Sequence, residues 1–239
     1  MAMSSSKTPG VLVVHSGGLD STTLLYWAIE HYGKPNVRAI SFYYGSKHNA
    51  RELACADVVG AKLRLTRHVH DLSACFDSDS GLMAGKGKVP DGHYADASMQ
   101  QTVVPLRNGV MLMVAASVAE SMGLTHIALG AHAGDHAIYP DCRPEFLRAA
   151  AEAIALGTYA QIGLLRPFAG FDKARIVTEG ARLEVDFTQT WSCYRGEDVS
   201  CGRCGTCTER LMAFDTAGLK DPLQYADRSY YRTLSAQAT

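Results

Sequence analysis

The sequence predicts an α/β protein built on a doubly wound, mostly parallel sheet. Three observations carry this prediction. Short β-branched runs alternate with stretches of helical apolar spacing over most of the chain. A Ser-Gly-Gly turn separates the first such run from the first helix. Hydrophobic residues make up 47% and charged residues 20%, which suits a packed core and excludes a disordered or fibrous chain. Strands that each return through a helix lie parallel and are covered on both faces.

Each element has its own signal. Val11–Val14 is β-branched and ends at Ser16-Gly17-Gly18, and Asp20 to His31 then carries Leu24, Leu25, Ala28 and Ile29 at helical spacing. Val37–Tyr43 reads as the second strand, Lys47–Val59 as the second helix, and Lys62–Thr66 as a weaker third strand. Gly109–Ser121, rich in Met, Val and Ala, reads as a buried helix followed by a strand over His126–Gly130. Pro144 opens a helix over Glu145–Ala155, and Ile162–Leu165 is a further strand. Two stretches break the rhythm. Asp71–Val103 holds four Gly, one Pro and few apolar positions, and a loop of that length in a compact domain serves as a lid or binding loop. From Trp191 the chain turns cysteine-rich and no longer reads as strand and helix.

Length and charge bound the function. At 239 residues there is room for one ordinary enzyme domain and an appendage. Residues 1–10 read as a loose leader without the apolar core of a secretory signal, and no apolar run approaches the roughly 18 residues that cross a bilayer. A cytoplasmic protein without a membrane partner is expected. A net charge of −1 and a pI near 6.7 speak against a protein whose work is clamping nucleic-acid phosphates. The sequence leaves a homo-oligomer open.

The segment Val14-His15-Ser16-Gly17-Gly18-Leu19-Asp20-Ser21-Thr22-Thr23-Leu24 runs from strand into helix. Its glycines let the backbone approach a ligand closely. Ser16, Ser21, Thr22 and Thr23 place hydroxyls beside the free N–H groups of a helix start, where an anion is stabilised. A tight turn with good helix caps would also use Ser and Asp. The string as a whole, however, resembles the S-G-G-x-D-S signature of the PP-loop pyrophosphatases. That resemblance implies a Rossmann-like PP-loop domain that cleaves ATP to AMP and pyrophosphate and adenylates an acid or carbonyl oxygen. It assigns Val14 to Leu24 to ATP, with Ser16, Gly17, Gly18, Asp20, Ser21 and Thr22 gripping the pyrophosphate and Mg²⁺ neutralising the leaving group.

Of seven cysteines, Cys193, Cys201, Cys204 and Cys207 fall within fifteen positions, while Cys55, Cys75 and Cys142 are scattered. An odd count without an export signal argues against a disulfide framework. Four clustered thiolates suit a closed, structural zinc site, and the last three spacings also match an iron–sulfur run.

Two further stretches concentrate chemistry. Pro105-Leu106-Arg107-Asn108 opens the buried helix, and its Arg and Asn offer donors to a carboxylate or base edge. Gly130 to Phe146 follows a strand end, where ligands of open α/β sheets bind, and concentrates Asp135, Tyr139, Asp141, Cys142, Arg143 and Glu145. Cap and surface roles would account for Asn108 and Arg107, but loop solvation explains the second stretch badly.

Taken together these pieces resemble the 7-cyano-7-deazaguanine synthase family of queuosine biosynthesis, from about Val11 to about Phe214. The matching residues are the glycine turn, Tyr44-Gly45 with His48, Pro105-x-Arg107-Asn108, Tyr139-Pro140-Asp141-Cys142-Arg143 with Glu145-Phe146, Trp191-Ser192-Cys193-Tyr194 and the cysteine array. The resemblance implies zinc on the four cysteines. It also implies a substrate site drawn from Tyr44, His48, Arg107, Asn108, Asp135, Tyr139, Asp141, Cys142, Arg143 and Glu145, with Arg143 our expected partner for a substrate carboxylate. The implied reaction converts 7-carboxy-7-deazaguanine and ammonia to the nitrile through an adenylate and an amide. The implied division is an ATP domain over 11–190 with a lid-like loop at 71–103, then a zinc-binding segment over 191–239. This chain departs from the family at His15, at Leu19 and at Ala137-Ile138, the last near the expected pocket, so a related 7-deazapurine is an alternative substrate. Two other readings compete: a PP-loop transfer-RNA modifier and an idle nucleotide-binding module. Six basic residues against six acidic ones from Arg195 to Arg232 disfavour the first, since they make no basic tail. The intact turn disfavours the second.

Overall fold

The computed structural model describes residues 9–235, so all of the expected leader but Pro9 and Gly10 lies outside the described residues. Five parallel strands, β1 (Val11–Val14), β2 (Val37–Tyr43), β3 (Arg67–Asp71), β4 (His126–Ala128) and β5 (Gly163–Leu165), lie in the order β3-β2-β1-β4-β5. Among the described residues seven α-helices accompany them: α1 (Leu19–Tyr32), α2 (Asn49–Leu63), α3 (Arg107–Ser121), α4 (Pro144–Gly157), α5 (Lys173–Arg182), α6 (Gly205–Thr216) and α7 (Tyr230–Ser235). Val11 pairs with Val37 on one side and His126 on the other. The winding reverses between β1 and β4, and a crevice opens there beyond the strand ends.

Side-chain alternation along the strands produces two cores, one on each face. Leu12, Val14, Ile40, Phe42 and Ile127 face Leu112, Ala115 and Ala119 of α3 and Leu147 of α4. Val11, Val13, Val37, Ala39 and Ala128 face Leu24, Leu25 and Ala28 of α1 with Ile176 and Val177 of α5. Burial on both sides explains why β1 reads as an unbroken apolar run rather than as polar alternation.

The expected third strand over Lys62–Thr66 is displaced. Lys62 and Leu63 finish α2, Arg64 ends it in the left-handed conformation at φ 50°, and the strand begins at Arg67. Leu63 and Leu65 pack on the α1 side of the sheet as a helix end and its exit, so their apolar character marks a helix terminus. Three helices, α5, α6 and α7, lack a counterpart among the sequence signals. Asp172 caps α5 by accepting from the Arg175 N–H at 2.7 Å, and α6 starts directly at the cysteine turn and packs on α5.

The Asp71–Val103 loop is anchored along its length. Leu82, Met83, Val89, Tyr94 and Met99 join the α3-side core. Lys47 Nζ donates to Gly81 O at 2.7 Å and to Gly87 O. Asp91 pairs with Arg195 and Arg203, and Thr208 Oγ1 donates to Gly92 O at 2.9 Å, which ties the loop to the cysteine-bearing segment.

Candidate active site

The turn after β1 is held open by its own side chains. Gly17 has φ 95°, and a Cβ there would lie 2.0 Å from Glu52 O, so α2 can approach only because the position is glycine. Ser16 Oγ accepts from the Gly18 N–H at 3.1 Å, and Ser21 Oγ accepts from the Ser16 N–H at 3.2 Å. His15 sits behind the turn, fully buried, with Nε2 3.1 Å from Thr22 Oγ1. Burial, with Arg67 adding to it, pushes its pKa down to about 3, so it is a neutral packing residue.

The cavity beyond this turn runs from Ser16 and Ser21 to the Tyr44, Tyr94, Tyr139 and Tyr194 side chains. The end beside the turn is ionic. Lys173 Nζ donates to Asp20 Oδ2 at 2.6 Å and lies 3.3 Å from Glu209 Oε2. Burial pulls the lysine pKa down, but Asp20 and Glu209 more than offset it and keep the ammonium charged. Asp135 accepts from Tyr94 Oη at 2.8 Å and from the His132 N–H at 3.1 Å. Burial works against its charge, yet the neighbouring His132 and Lys173 bring its pKa below the usual carboxylate range.

The far end is aromatic. Arg107 lies 5.3 Å from the Tyr44 ring centroid and 5.9 Å from that of Tyr139, and its Nη1 donates to Tyr44 Oη at 2.9 Å. Among the described residues no carboxylate comes within 4.0 Å of its guanidinium. Tyr94, Tyr139 and Tyr194 close the slot, with Tyr139 Oη and Tyr194 Oη 3.0 Å apart. Burial raises all three phenols, which stay protonated as donors. Cys142 Sγ accepts from Asn108 Nδ2 at 3.1 Å; burial pushes its thiol far up, which argues against a nucleophile.

Of the residues expected at the site, Val14, His15, Ser16, Gly18, Leu19, Asp20, Ser21, Tyr44, His48, Arg107, Asn108, Asp135, Tyr139 and Cys142 line this one cavity. Thr22, Thr23 and Leu24 are fully buried beneath the turn and pack α1. Asp141 stands behind the wall, where its Oδ2 accepts from the Asn108 N–H at 2.7 Å and caps the start of α3. Arg143 is exposed, and its Nε donates to His136 O at 3.1 Å; Glu145 is exposed in the first turn of α4. Neither lines the cavity, because Pro144 starts α4 there and carries both side chains outward. Ala137 is exposed and Ile138 sits in the α3-side core, so the Ala137-Ile138 departure does not touch the cavity. Sequence reasoning missed Glu52, Tyr94, Lys173 and Glu209 as site residues. Glu52 falls four positions after His48 on the same helix face, a spacing that would have found it.

The four cysteines meet beside the aromatic end. Their Sγ atoms all lie within 4.8 Å of one another, with Cys201 and Cys207 3.9 Å apart. Tetrahedral bonds of about 2.3 Å require sulfur separations of about 3.8 Å. Cys201 Sγ also accepts from the Arg203 and Cys204 N–H groups at 3.4 and 3.3 Å, contacts that favour thiolate. The donor set fits a closed metal site. Tyr194 follows Cys193 directly, and Thr206 stands between Cys204 and Cys207, so the same turns place two residues of the cavity wall.

A parallel sheet with strand order 3-2-1-4-5, carrying a Ser-Gly-Gly-x-Asp-Ser turn at its switch point, defines an ATP-binding enzyme of the PP-loop class. Residues 10–218 match the family described as "Queuosine biosynthesis protein QueC". The chain is 48% identical over 215 residues to the 7-cyano-7-deazaguanine synthase of Methanoregula boonei, covering 90% of this chain and 98% of that one. It is 46% identical over 229 residues to the synthase of Paracoccus denitrificans, covering 95% and 97%. The chain belongs to the QueC family. Among the described residues no helix is long and apolar enough to cross a membrane.

Proposed function

We propose that this chain uses two ATP molecules to convert 7-carboxy-7-deazaguanine and ammonia into 7-cyano-7-deazaguanine, releasing AMP and pyrophosphate. One observation carries the reading: a single cavity joins the anion turn at Ser16–Ser21 to an aromatic slot holding Arg107, whose guanidinium has no carboxylate within 4.0 Å among the described residues. The turn's N–H groups and hydroxyls receive the pyrophosphate, and Lys173 adds the cation. Mg²⁺, when bound, neutralises the departing phosphates, and the buried Asp20 Oδ1, which has no hydrogen-bond partner, faces them. Arg107 takes the role we had expected of Arg143 and meets the substrate carboxylate, while Tyr44 and Tyr139 flank the ring. The Asp71–Val103 loop, through Tyr94, closes the slot and keeps water from the acyl adenylate. Zinc is the metal we assign to Cys193, Cys201, Cys204 and Cys207, in a structural role. Its segment, 191–239, serves as a brace for the ATP domain over 11–190. All these ligands are small molecules of the cytoplasm.

Incubation with ATP, ammonium and the carboxy-deazaguanine should give the nitrile by mass analysis, with AMP and pyrophosphate. ADP and orthophosphate would overturn the assignment. Transfer RNA at moderate salt should bind weakly and without specificity; modification of the RNA would favour the rival reading.

A further inference from the structure

We propose, resting on the reading that ammonia attacks an acyl adenylate in this cavity, that Glu52 is the catalytic base that takes the proton the attacking nitrogen must lose. Three carboxylates line the cavity: Asp20, Glu52 and Asp135. Asp20 is paired with Lys173 at 2.6 Å, and Asp135 is engaged by Tyr94 and the His132 backbone. Glu52 faces the cavity with no lysine or arginine nitrogen within 4.0 Å among the described residues, and Arg107 acts on it only from farther away. Among the described residues the one ion-pair neighbour of Glu52 within 4.0 Å is His48, at 3.7 Å, and burial pushes that imidazole down to about 3, so it supplies no charge.

The position suits the task. Glu52 stands on α2 between the two ends, with its Oε1 3.5 Å from where a side chain on Gly18 would begin. It is therefore open toward the turn that would hold the phosphates and also lies on the Tyr44–His48 side of the slot. The charged and titratable groups around it are His48 and Cys55 on its own helix, Asp20 on α1, Arg107 on α3 and Tyr44 before α2. Burial raises its pKa to about 7, with Arg107 and the Ser16 hydroxyl pulling back and Asp20 adding to the rise. A base near neutrality can both accept the proton and return it to solvent. The other candidates are unsuited: Lys173 is held protonated, Cys142 and the tyrosines are raised, and His15 and His48 are lowered to about 3.

The step balances. Ammonia forms a bond to the acyl carbon, and the carbon–oxygen bond to AMP breaks with its electron pair leaving on the phosphate. The nitrogen, now carrying one hydrogen too many, gives a proton to the Glu52 carboxylate and becomes the amide.

The test uses the full-length enzyme with two readouts. Acid-dependent exchange of labelled pyrophosphate into ATP reports adenylation, and product mass reports nitrogen transfer. Glu52→Gln should keep exchange within about threefold of wild type while amide and nitrile formation fall by roughly 10²- to 10⁴-fold. At constant free ammonia, the wild-type rate should rise with pH through about 7, and the variant should lose that limb. Glu52→Asp should recover part of the rate. The proposal is overturned if Glu52→Gln forms nitrile within tenfold of wild type, keeps the acid limb, or loses exchange together with nitrogen transfer while Glu52→Asp folds and behaves the same way. Absence of exchange in the wild type would instead overturn the adenylating function itself, and the base assignment with it.

Discussion

The two ends of the cavity are built in opposite ways. At the glycine-turn end one contiguous stretch, Ser16 to Ser21, supplies the hydroxyls and N–H groups, and the surrounding charges of Asp20, Lys173 and Glu209 are already paired. At the aromatic end five separated segments contribute Tyr44 with His48, Tyr94, Arg107 with Asn108, Tyr139 with Cys142, and Trp191 with Tyr194. An anion needs a row of dipoles, which one turn can provide. A flat heterocycle needs walls on several sides, and only tertiary structure brings those together. The second end should therefore be the more fragile of the two, and its fragility should run through the cysteine turns that place Tyr194 and Thr206.

The largest expected effect tests that fragility. Structural zinc contributes an apparent free energy of about 10–16 kcal/mol in small peptides, as much as the whole stability of an ordinary domain. Cys204→Ser should lower the metal content from about one zinc per chain and drop the melting temperature by more than about 10 °C. A variant that keeps both its zinc and its melting temperature would show that the cysteines do not brace the aromatic end.

The ionic end should break differently, in rate and not in stability. Asp20→Ala leaves Lys173 a second carboxylate in Glu209 and opens no apolar core. Turnover should fall by at least about 10³-fold with an unchanged melting temperature, since a group facing the transferred charge is lost. AMP formation within tenfold of wild type would remove Asp20 from the machinery.

The same contrast explains what the sequence could reveal. Strands buried on both faces, such as Val11–Val14, and the glycine turn are local patterns, and both are found where periodicity and composition put them. The four cysteines carry their spacing with them and converge to within 4.8 Å. Lys173 and Glu209 have no local pattern: one is the first residue of a helix, the other a helical Glu, and only the packing of α5 on α6 makes them a pair. Arg143 shows the converse failure. It lies in a chemically dense stretch, yet Pro144 turns the chain into α4 and leaves its side chain outside.

Glu52, between the two ends, should cost stability where it serves chemistry. Its folded pKa of about 7 lies above the ordinary 4.5, so the folded state binds the proton more tightly than the unfolded chain. The stabilising contribution of that proton is complete below about pH 4.5 and is lost as pH rises through about 7. That difference in pKa corresponds to about 3 kcal/mol. Glu52→Gln should therefore be more stable than wild type by up to that amount at pH 8 and nearly equal to it at pH 4.5. Denaturant midpoints at the two values check this, and equal midpoints at pH 8 would mean that the carboxylate is better solvated than its 15% exposure indicates.

The smallest effects separate two arginines. Arg107→Ala removes the cation between Tyr44 and Tyr139, and a substrate carboxylate would then stay unpaired in a closed slot. An unpaired buried group costs on the order of 1–3 kcal/mol, or roughly ten- to a hundred-fold in affinity for the deazaguanine acid. ATP binding should change little, because the Ser16–Ser21 hydrogen bonds lie at the other end. Arg143→Ala removes only an exposed contact to the His136 carbonyl and should leave affinity for the acid within about twofold. Titration calorimetry with the acid and with a non-hydrolysable ATP analogue reads all four quantities. If Arg143→Ala proved the more damaging, the acid would have to bind outside the aromatic slot, beside the start of α4, and the division of the cavity into an anion end and a heterocycle end would fall with it.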